Sequence, residues 1–187
     1  MKIYTRTGDD GTTGLFYGGR VAKDSELPSA YGAVDEAQAF LGLARAETTD
    51  PELAALLLAL GRDLYVVMAE LATALENRYK LVDGASRATP AMVAALEPMI
   101  DEFTSRFEMP TDFVVPGGTR VGALLDVART VVRRAERAAM VAADESSSTI
   151  PYLNRLSDLL WALARWQDGA AVLAKHVDPP SPRKGPS

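Results

Sequence analysis

The sequence predicts an all-α chain, a five-helix bundle preceded by an extended Gly/Thr-rich amino-terminal loop. Three observations lead there. Five long segments repeat apolar residues at helical spacing, two of them open with a polar cap followed by proline, and almost nothing in between alternates as a strand does. With 187 residues, 48% apolar and 24% charged, the chain suits one domain with a sizeable core. Residues 1–176 read as that domain, and 177–187, ending in "DPPSPRKGPS", as a disordered tail by composition.

Residues 1–26 are rich in Gly, Thr and Asp and show little helical period, so they read as a loop with a short strand over 2–5. The first helix is expected over about 28–47. Asp50-Pro51-Glu52 supplies a cap, a proline at the first helical position and an acid in the first turn, opening a second helix to about residue 79. After the linker "VDGASRA", Thr89-Pro90 opens a third by the same logic, to about residue 107, with a kink expected at the interior Pro98. "FVVPGGT" at 113–119 is a tight extended entry to a fourth helix, capped by Thr119 or Gly118 and running to about residue 143. After the loop "DESSST", a fifth helix over about 151–175 carries Leu153, Leu156, Leu160, Leu163 and Trp166 as one apolar stripe. Alanine-rich faces favour close backbone approach, within the chain or between subunits.

Composition removes several functions. Without cysteine there are no disulfides, thiolate metal sites or cysteine nucleophiles. A single histidine, His176, argues against a Ser-His-Asp triad and a multi-histidine metal site, and the absence of Glu-x-x-His argues against a di-iron bundle. A net charge of -5 disfavours nucleic acid. There is no signal-like amino terminus, and the longest apolar run, "LAALLLAL", is too short to span a bilayer. The expectation is a soluble cytoplasmic protein without a membrane partner.

Against that acidic background, "RTVVRRAER" at 129–137 gathers four arginines on about two helical turns. Arg129, Arg133 and Glu136, at i, i+4 and i+7, share a face that Asp126 borders. One reading is a solvated face with intrahelical ion pairs. The other is an anion site, since guanidinium forks bind phosphate bidentately and keep their charge at any working pH. Asn154 and Asp158 on the fifth helix either face this helix or lie on the surface. The loop "YTRTGDDGTTGLFYGG" at 4–19 offers amides and hydroxyls, as a polyphosphate cradle does and as a plain surface turn also does. It is not a Walker A loop. Arg6 and Lys23 flank it, and Asp9 and Asp10 are placed to help hold magnesium carried by a polyphosphate.

Taken in order, "YTRTGDDGTT", "SAYGAVDEAQAFLG", "FVVPGGT" leading into "ARTVVRRAER", and "YLNRLSDLLW" resemble the PduO-type corrinoid adenosyltransferases over roughly residues 1–175. The resemblance implies a five-helix bundle assembling as a homotrimer with active sites between subunits. It implies transfer of the 5′-deoxyadenosyl group of ATP to cob(I)alamin, with triphosphate leaving and magnesium carried by the phosphates. By that resemblance Thr5, Arg6, Thr7, Gly8, Asp9, Gly11, Thr12, Thr13 and Lys23 wrap the phosphates, and Arg6 stands where lysine is frequent. Arg129, Arg133, Glu136 and Asn154 complete the nucleotide site. Asp35 pairs with Arg129 across the interface and borders the corrinoid. Phe113, with Val114, lies under the corrin and keeps a lower axial ligand off cobalt, with Val115 helping to keep the pocket dry; by itself Phe113 also reads as a core aromatic. A corrinoid reductase and an adenosylcobalamin-dependent mutase are implied partners. The rival readings are a non-catalytic ATP/corrinoid carrier or sensor, which would form no adenosylcobalamin, and a structural oligomer, which ATP would not stabilise.

Overall fold

The computed structural model describes residues 3–177. It is a bundle of five long helices with a small two-stranded hairpin at its start. The strands are β1, Thr12–Gly14, and β2, Arg20–Ala22, antiparallel with Thr13 opposite Val21. The strand expected at 2–5 is corrected: Lys2 lies outside the described residues, and residues 3–5 pair with nothing in a sheet.

Helix α1 is Glu26–Glu47, with Pro28 in its first turn, where a missing amide hydrogen costs nothing. Helix α2 is Pro51–Leu71, and the Asp50 carboxylate accepts from the Leu53 amide at 3.0 Å. It stops well short of residue 79. The Ala72 carbonyl, which a continuing helix would give to residue 76, accepts instead from the Phe16 amide at 2.9 Å. A 3₁₀ turn, Leu75–Lys80, follows. Helix α3, Pro90–Thr104, is capped by Thr89 and runs as one element through Pro98. Helix α4, Arg120–Ala139, has its Thr119 hydroxyl accepting from the Gly122 amide at 2.9 Å. Helix α5 is Thr149–Asp168, shorter than the expected run to 175, because Gly169 turns out of the helix at φ 68°.

Packing follows the order α2, α1, α4, α5, α3. Neighbours α1 and α4 are antiparallel, tied by Glu36–Arg134 and Glu47–Arg120. Both bury small residues: Ala30, Ala37 and Ala44 of α1 and Ala128, Ala135 and Ala139 of α4. The alanines therefore serve packing within the chain, which leaves the outer face of α4 free for charge. The expected α5 stripe is in place, with Leu153, Leu156, Leu160 and Leu163 fully buried and Trp166 packed at the core's edge against Phe103. Tyr152 is also fully buried, and its hydroxyl donates to Asp63 at 3.2 Å; burial first, then that carboxylate, raises its pKa. Arg106 grips Glu52 with two bonds of 2.7 Å, clasping the start of α2 to the end of α3. No described helix is long and apolar enough to cross a membrane.

Candidate active site

Helix α4 presents the arginines as its spacing requires, and the structure sorts them. Arg134 pairs with Glu36, and Arg137 donates to the Arg133 carbonyl at 3.0 Å, so both follow the solvated-face reading. Arg129 is half-buried, its Nε donating to Asp126 Oδ1 at 3.0 Å. Arg133 is exposed, and its guanidinium has no ion-pair or hydrogen-bond partner among the described residues. One turn on, Glu136 accepts from Asn154 Nδ2 at 2.9 Å. Asn154 therefore faces α4, with Arg155 donating to its oxygen at 2.8 Å and pairing with Asp158 at 3.0 Å. Glu136, Asn154 and Arg155 share a hollow of about 390 Å³ with Val93, Glu97 and Ile150.

Before α4, residues 113–118 form a strap. Its backbone is held from one side by the segment after α5: Ala174 N–H donates to the Phe113 carbonyl and Val115 N–H to the Val172 carbonyl, both at 2.8 Å. Asp112 accepts from the Phe113 amide at 2.7 Å and pairs with Lys175 at 3.6 Å. With its backbone fixed, the Phe113 ring is left 85% exposed, which rules out the core-aromatic reading. Phe113 and Val114 line a cleft of about 580 Å³ together with Asp126, Arg129, Trp161 and Arg165. Val115 does not line it and is 40% exposed.

Beneath this cleft is a buried charge network that sequence reading missed. Arg165 Nη2 donates to Asp126 Oδ2 at 2.6 Å and to Asp168 Oδ2 at 2.9 Å. Asp168 Oδ1 in turn accepts from the Thr119 amide at 2.8 Å. The signal was present but faint: Arg165 interrupts an apolar stretch of α5 and has Asp168 three residues on.

The amino-terminal loop is knit mainly to itself. Asp10 Oδ1 accepts from the Thr12 amide at 2.9 Å and the Thr12 hydroxyl at 2.8 Å, and Arg20 reaches the Thr7 carbonyl at 2.8 Å and the Thr12 hydroxyl at 2.6 Å. These bonds, those of Thr12 first and then the Arg20 charge, hold the Asp10 carboxyl below its ordinary pKa. Thr7 donates to the Thr5 hydroxyl at 2.9 Å, and the Lys23 amide to the Gly11 carbonyl at 2.9 Å. Gly8 is required sterically, since a Cβ there would lie 2.9 Å from the Thr12 carbonyl oxygen, with Lys23 Nζ at 3.2 Å. Thr13 lies in β1, and Asp9 is exposed. Arg6 stacks over Tyr4 at 5.7 Å with φ 60°, a left-handed backbone unusual outside glycine. The loop reaches the bundle at the carboxyl end of α2, through Phe16 to Ala72 and Asn77 to Gly18. Phe113 belongs to the other end, where α4 begins and α5 finishes.

The predicted residues thus fall into separate groups within the chain. Arg129 meets Phe113 and Val114, Glu136 meets Asn154, and the loop residues meet one another. Asp35 does not meet Arg129. It lies exposed in a groove of about 490 Å³ between α1 and α2, with Gln38, Gly42, Leu58, Gly61 and Tyr65.

The sequence matches the family model described as cobalamin adenosyltransferase over residues 3–167. It is 42% identical over 173 residues to the corrinoid adenosyltransferase of Bacillus subtilis, covering 88% of this chain and 86% of that protein. To the corrinoid adenosyltransferase of Mycobacterium tuberculosis it is 44% identical over 170 residues, covering 88% and 87%. Among solved structures, a variant of the PduO-type ATP:corrinoid adenosyltransferase of Lactobacillus reuteri, complexed with cobalamin and ATP, is similar with a TM-score of 0.84. The identity there is 28%, over 94% of this chain and 97% of that one.

Proposed function

This chain belongs to the cobalamin adenosyltransferase family, and on that premise we propose that it transfers the 5′-deoxyadenosyl group of ATP to cob(I)alamin. The reduced cobalt attacks the ribose 5′ carbon. The Co–C bond forms as the C5′–O bond breaks, and triphosphate leaves with the bonding electron pair. One observation carries this reading: an outward-facing aromatic, Phe113, shares a cleft with Arg129, whose helix also presents Arg133, unpaired among the described residues, and the Glu136–Asn154 pair. An anion grip and an apolar platform for a flat ligand therefore lie along one helix.

The nucleophile is the substrate's own metal, so no histidine, serine or cysteine base is required. The work left to the protein is alignment and charge. Arg133 stabilises charge growing on the departing triphosphate together with Thr5, Thr7, Thr12 and Thr13 of the loop, the donors of Thr7 and Thr12 turning to the phosphates from Thr5 and Asp10. Arg6 and Lys23 add cations to that grip, with Gly8 and Gly11 giving the backbone close approach. Glu136 and Asn154 orient the nucleoside. Phe113 and Val114 occupy the space of a lower axial ligand, and losing that ligand favours the reduced metal. A magnesium ion carried by the phosphates would neutralise part of their charge, and a loop carboxylate would help to hold it. Asp9 fits that part, whereas Asp10 already spends one oxygen on Thr12.

The loop and the strap sit at opposite ends of one protomer. That layout supports a homotrimer in which a neighbour completes the site, Asp35 of one copy reaching Arg129 of the next. Residues 1–176 act as one cytoplasmic adenosyltransferase domain, fed by a corrinoid reductase and supplying an adenosylcobalamin-dependent mutase. The test is an absorbance assay with reduced cobalamin, ATP and magnesium, with triphosphate measured alongside. Wild-type protein is expected to produce adenosylcobalamin and triphosphate in equal amounts. Arg133→Ala should lower turnover by about 10²–10³-fold with the fold intact. Binding of both ligands without product would instead favour the carrier or sensor reading.

A further inference from the structure

The buried network under the cleft joins two parts of the site that sequence keeps far apart. Four charges meet there, Asp126 and Asp168 against Arg165 and Arg129, and they balance. Arg165 is 3% exposed and Asp126 4%. Each Asp126 oxygen has its own cation: Oδ1 takes Arg129 Nε at 3.0 Å, and Oδ2 takes Arg165 Nη2 at 2.6 Å. Because Nε is the atom tied down, the terminal nitrogens of Arg129 remain available to a ligand or a neighbouring carboxylate. The second arm runs from the same Arg165 Nη2 to Asp168 at 2.9 Å, and from Asp168 to the Thr119 amide and hydroxyl at 2.8 and 3.2 Å. Thr119 follows directly on the strap that bears Phe113 and caps α4.

The local sequence is cut to fit this second arm. A Cβ on Gly122 would lie 2.1 Å from Asp168 Oδ1, and one on Gly118 would lie 2.9 Å from Asp168 Cγ. Both glycines clear room for that carboxylate, so its seat is specified from the strap and from α4. The Arg165 guanidinium lies 6.0 Å from the centre of the Trp161 ring, which also lines the cleft, and its Nε is buried without a partner. Taking these charges out of water is costly, so the buried pairs are weak evidence of a purely stabilising role.

We infer that Arg165 is a positioning residue for both halves of the site: through Asp126 it sets Arg129, and through Asp168 it fixes the strap that holds Phe113 in the cleft. The inference rests on the adenosyltransferase reading. Arg165 is 3% exposed at the floor of the cleft and acts through its two carboxylates; it makes the spacing between anion grip and apolar platform a fixed quantity. With Arg165 gone, Asp126 draws Arg129 inward as its sole counter-charge, and the turn at Thr119 loses its tie to α5.

The two arms give the test its resolution. Three variants of the full chain, Asp126→Asn, Asp168→Asn and Arg165→Met, are compared with wild type in two readouts. One is turnover starting from cob(I)alamin. The other is the electron paramagnetic resonance spectrum of cob(II)alamin with ATP bound, which reports whether a lower ligand remains on cobalt. Asp126→Asn is expected to act mainly on turnover, lowering it by about 10²-fold. Asp168→Asn should act mainly on the spectrum, restoring the signature of a lower ligand. Arg165→Met should do both, and Arg165→Lys, whose single ammonium meets one carboxylate at a time, should rescue one readout in part. If Arg165→Met does not fold, the split between the two aspartate variants decides. Folded Arg165 variants with wild-type turnover and spectrum overturn the inference, as do aspartate variants whose two readouts fall together in proportion to lost melting temperature. Wild-type protein that makes no adenosylcobalamin would instead bring down the functional reading itself, an outcome plainly distinct from either.

Discussion

The strap end of the bundle and the amino-terminal loop solve the same problem, presenting polar groups to a ligand, in opposite ways. At the strap end, a buried, charge-balanced network locks Thr119, Asp126 and Arg129 to α5 before any ligand arrives. The loop is exposed along most of its length and is held largely by its own short-range bonds, with Asp10, Thr12 and Arg20 at the centre. Preorganisation at the first is bound up with folding, so it can be disturbed only at a cost to stability. At the second it is local, and substitutions there are expected to alter binding while sparing the fold.

The largest expected effect breaks the strap end. Gly122→Ala forces a Cβ onto Asp168 in the packed junction of α4 and α5, and should cost about 2–4 kcal/mol in chemical denaturation. A loss within the error of the measurement would show that the network yields, and the contrast would dissolve. Phe113→Ala sharpens the contrast from the other side. Its ring is exposed although its backbone is pinned, so stability and ATP affinity should hold. Turnover from cob(II)alamin with a reductant should fall by about 10²-fold. Equal loss of ATP binding would reduce Phe113 to a packing residue.

Arg20→Ala addresses the loop. It removes the bonds to Thr7 and Thr12, and calorimetry should find ATP bound about tenfold more weakly, with ligand-free stability changed by less than about 0.5 kcal/mol. A large drop in stability would place the loop in the same cooperative unit as the bundle. The smallest effect is a pH response at Asp10. Its folded pKa lies below its unfolded value, so the contribution of its bonds is fully present above the unfolded value. It is lost as pH falls through the lower folded one. The Thr12 amide resonance should therefore titrate with a midpoint below the ordinary carboxylate value of about 3.9. Asp10→Asn should remove that titration.

How much of this was legible in the sequence depends on whether the cause was local. Asp50-Pro51 and Thr89-Pro90 announced two helix starts and Thr119 was one of two cap candidates for a third; each side chain makes the cap bond that its chemistry suggests. The shared face of Arg129, Arg133 and Glu136 followed from helical geometry alone, and Asn154 facing Glu136 was one of two stated options. Helix ends were harder. Just past the end of α2 the Ala72 carbonyl is taken by Phe16, 56 positions earlier, a partner that no local pattern encodes. Helix α5 stops at Gly169, and the apolar residues beyond it, among them Val172 and Leu173, imitated a helical stripe while serving as backbone partners for the strap. The hairpin escaped because each strand is three residues long. Arg165 escaped because its partner Asp126 lies 39 positions away.

The alanine seam between α1 and α4 has a consequence for tuning the chemistry. Ala37 and Ala135 are both fully buried in helices that pack on each other, and α4 carries Arg129 and Arg133 as a rack. A bulkier residue in the seam would push that rack outward as a block without changing one reactive side chain. Reach toward the leaving group is therefore adjustable from behind, by the thickness of a spacer that never meets a substrate.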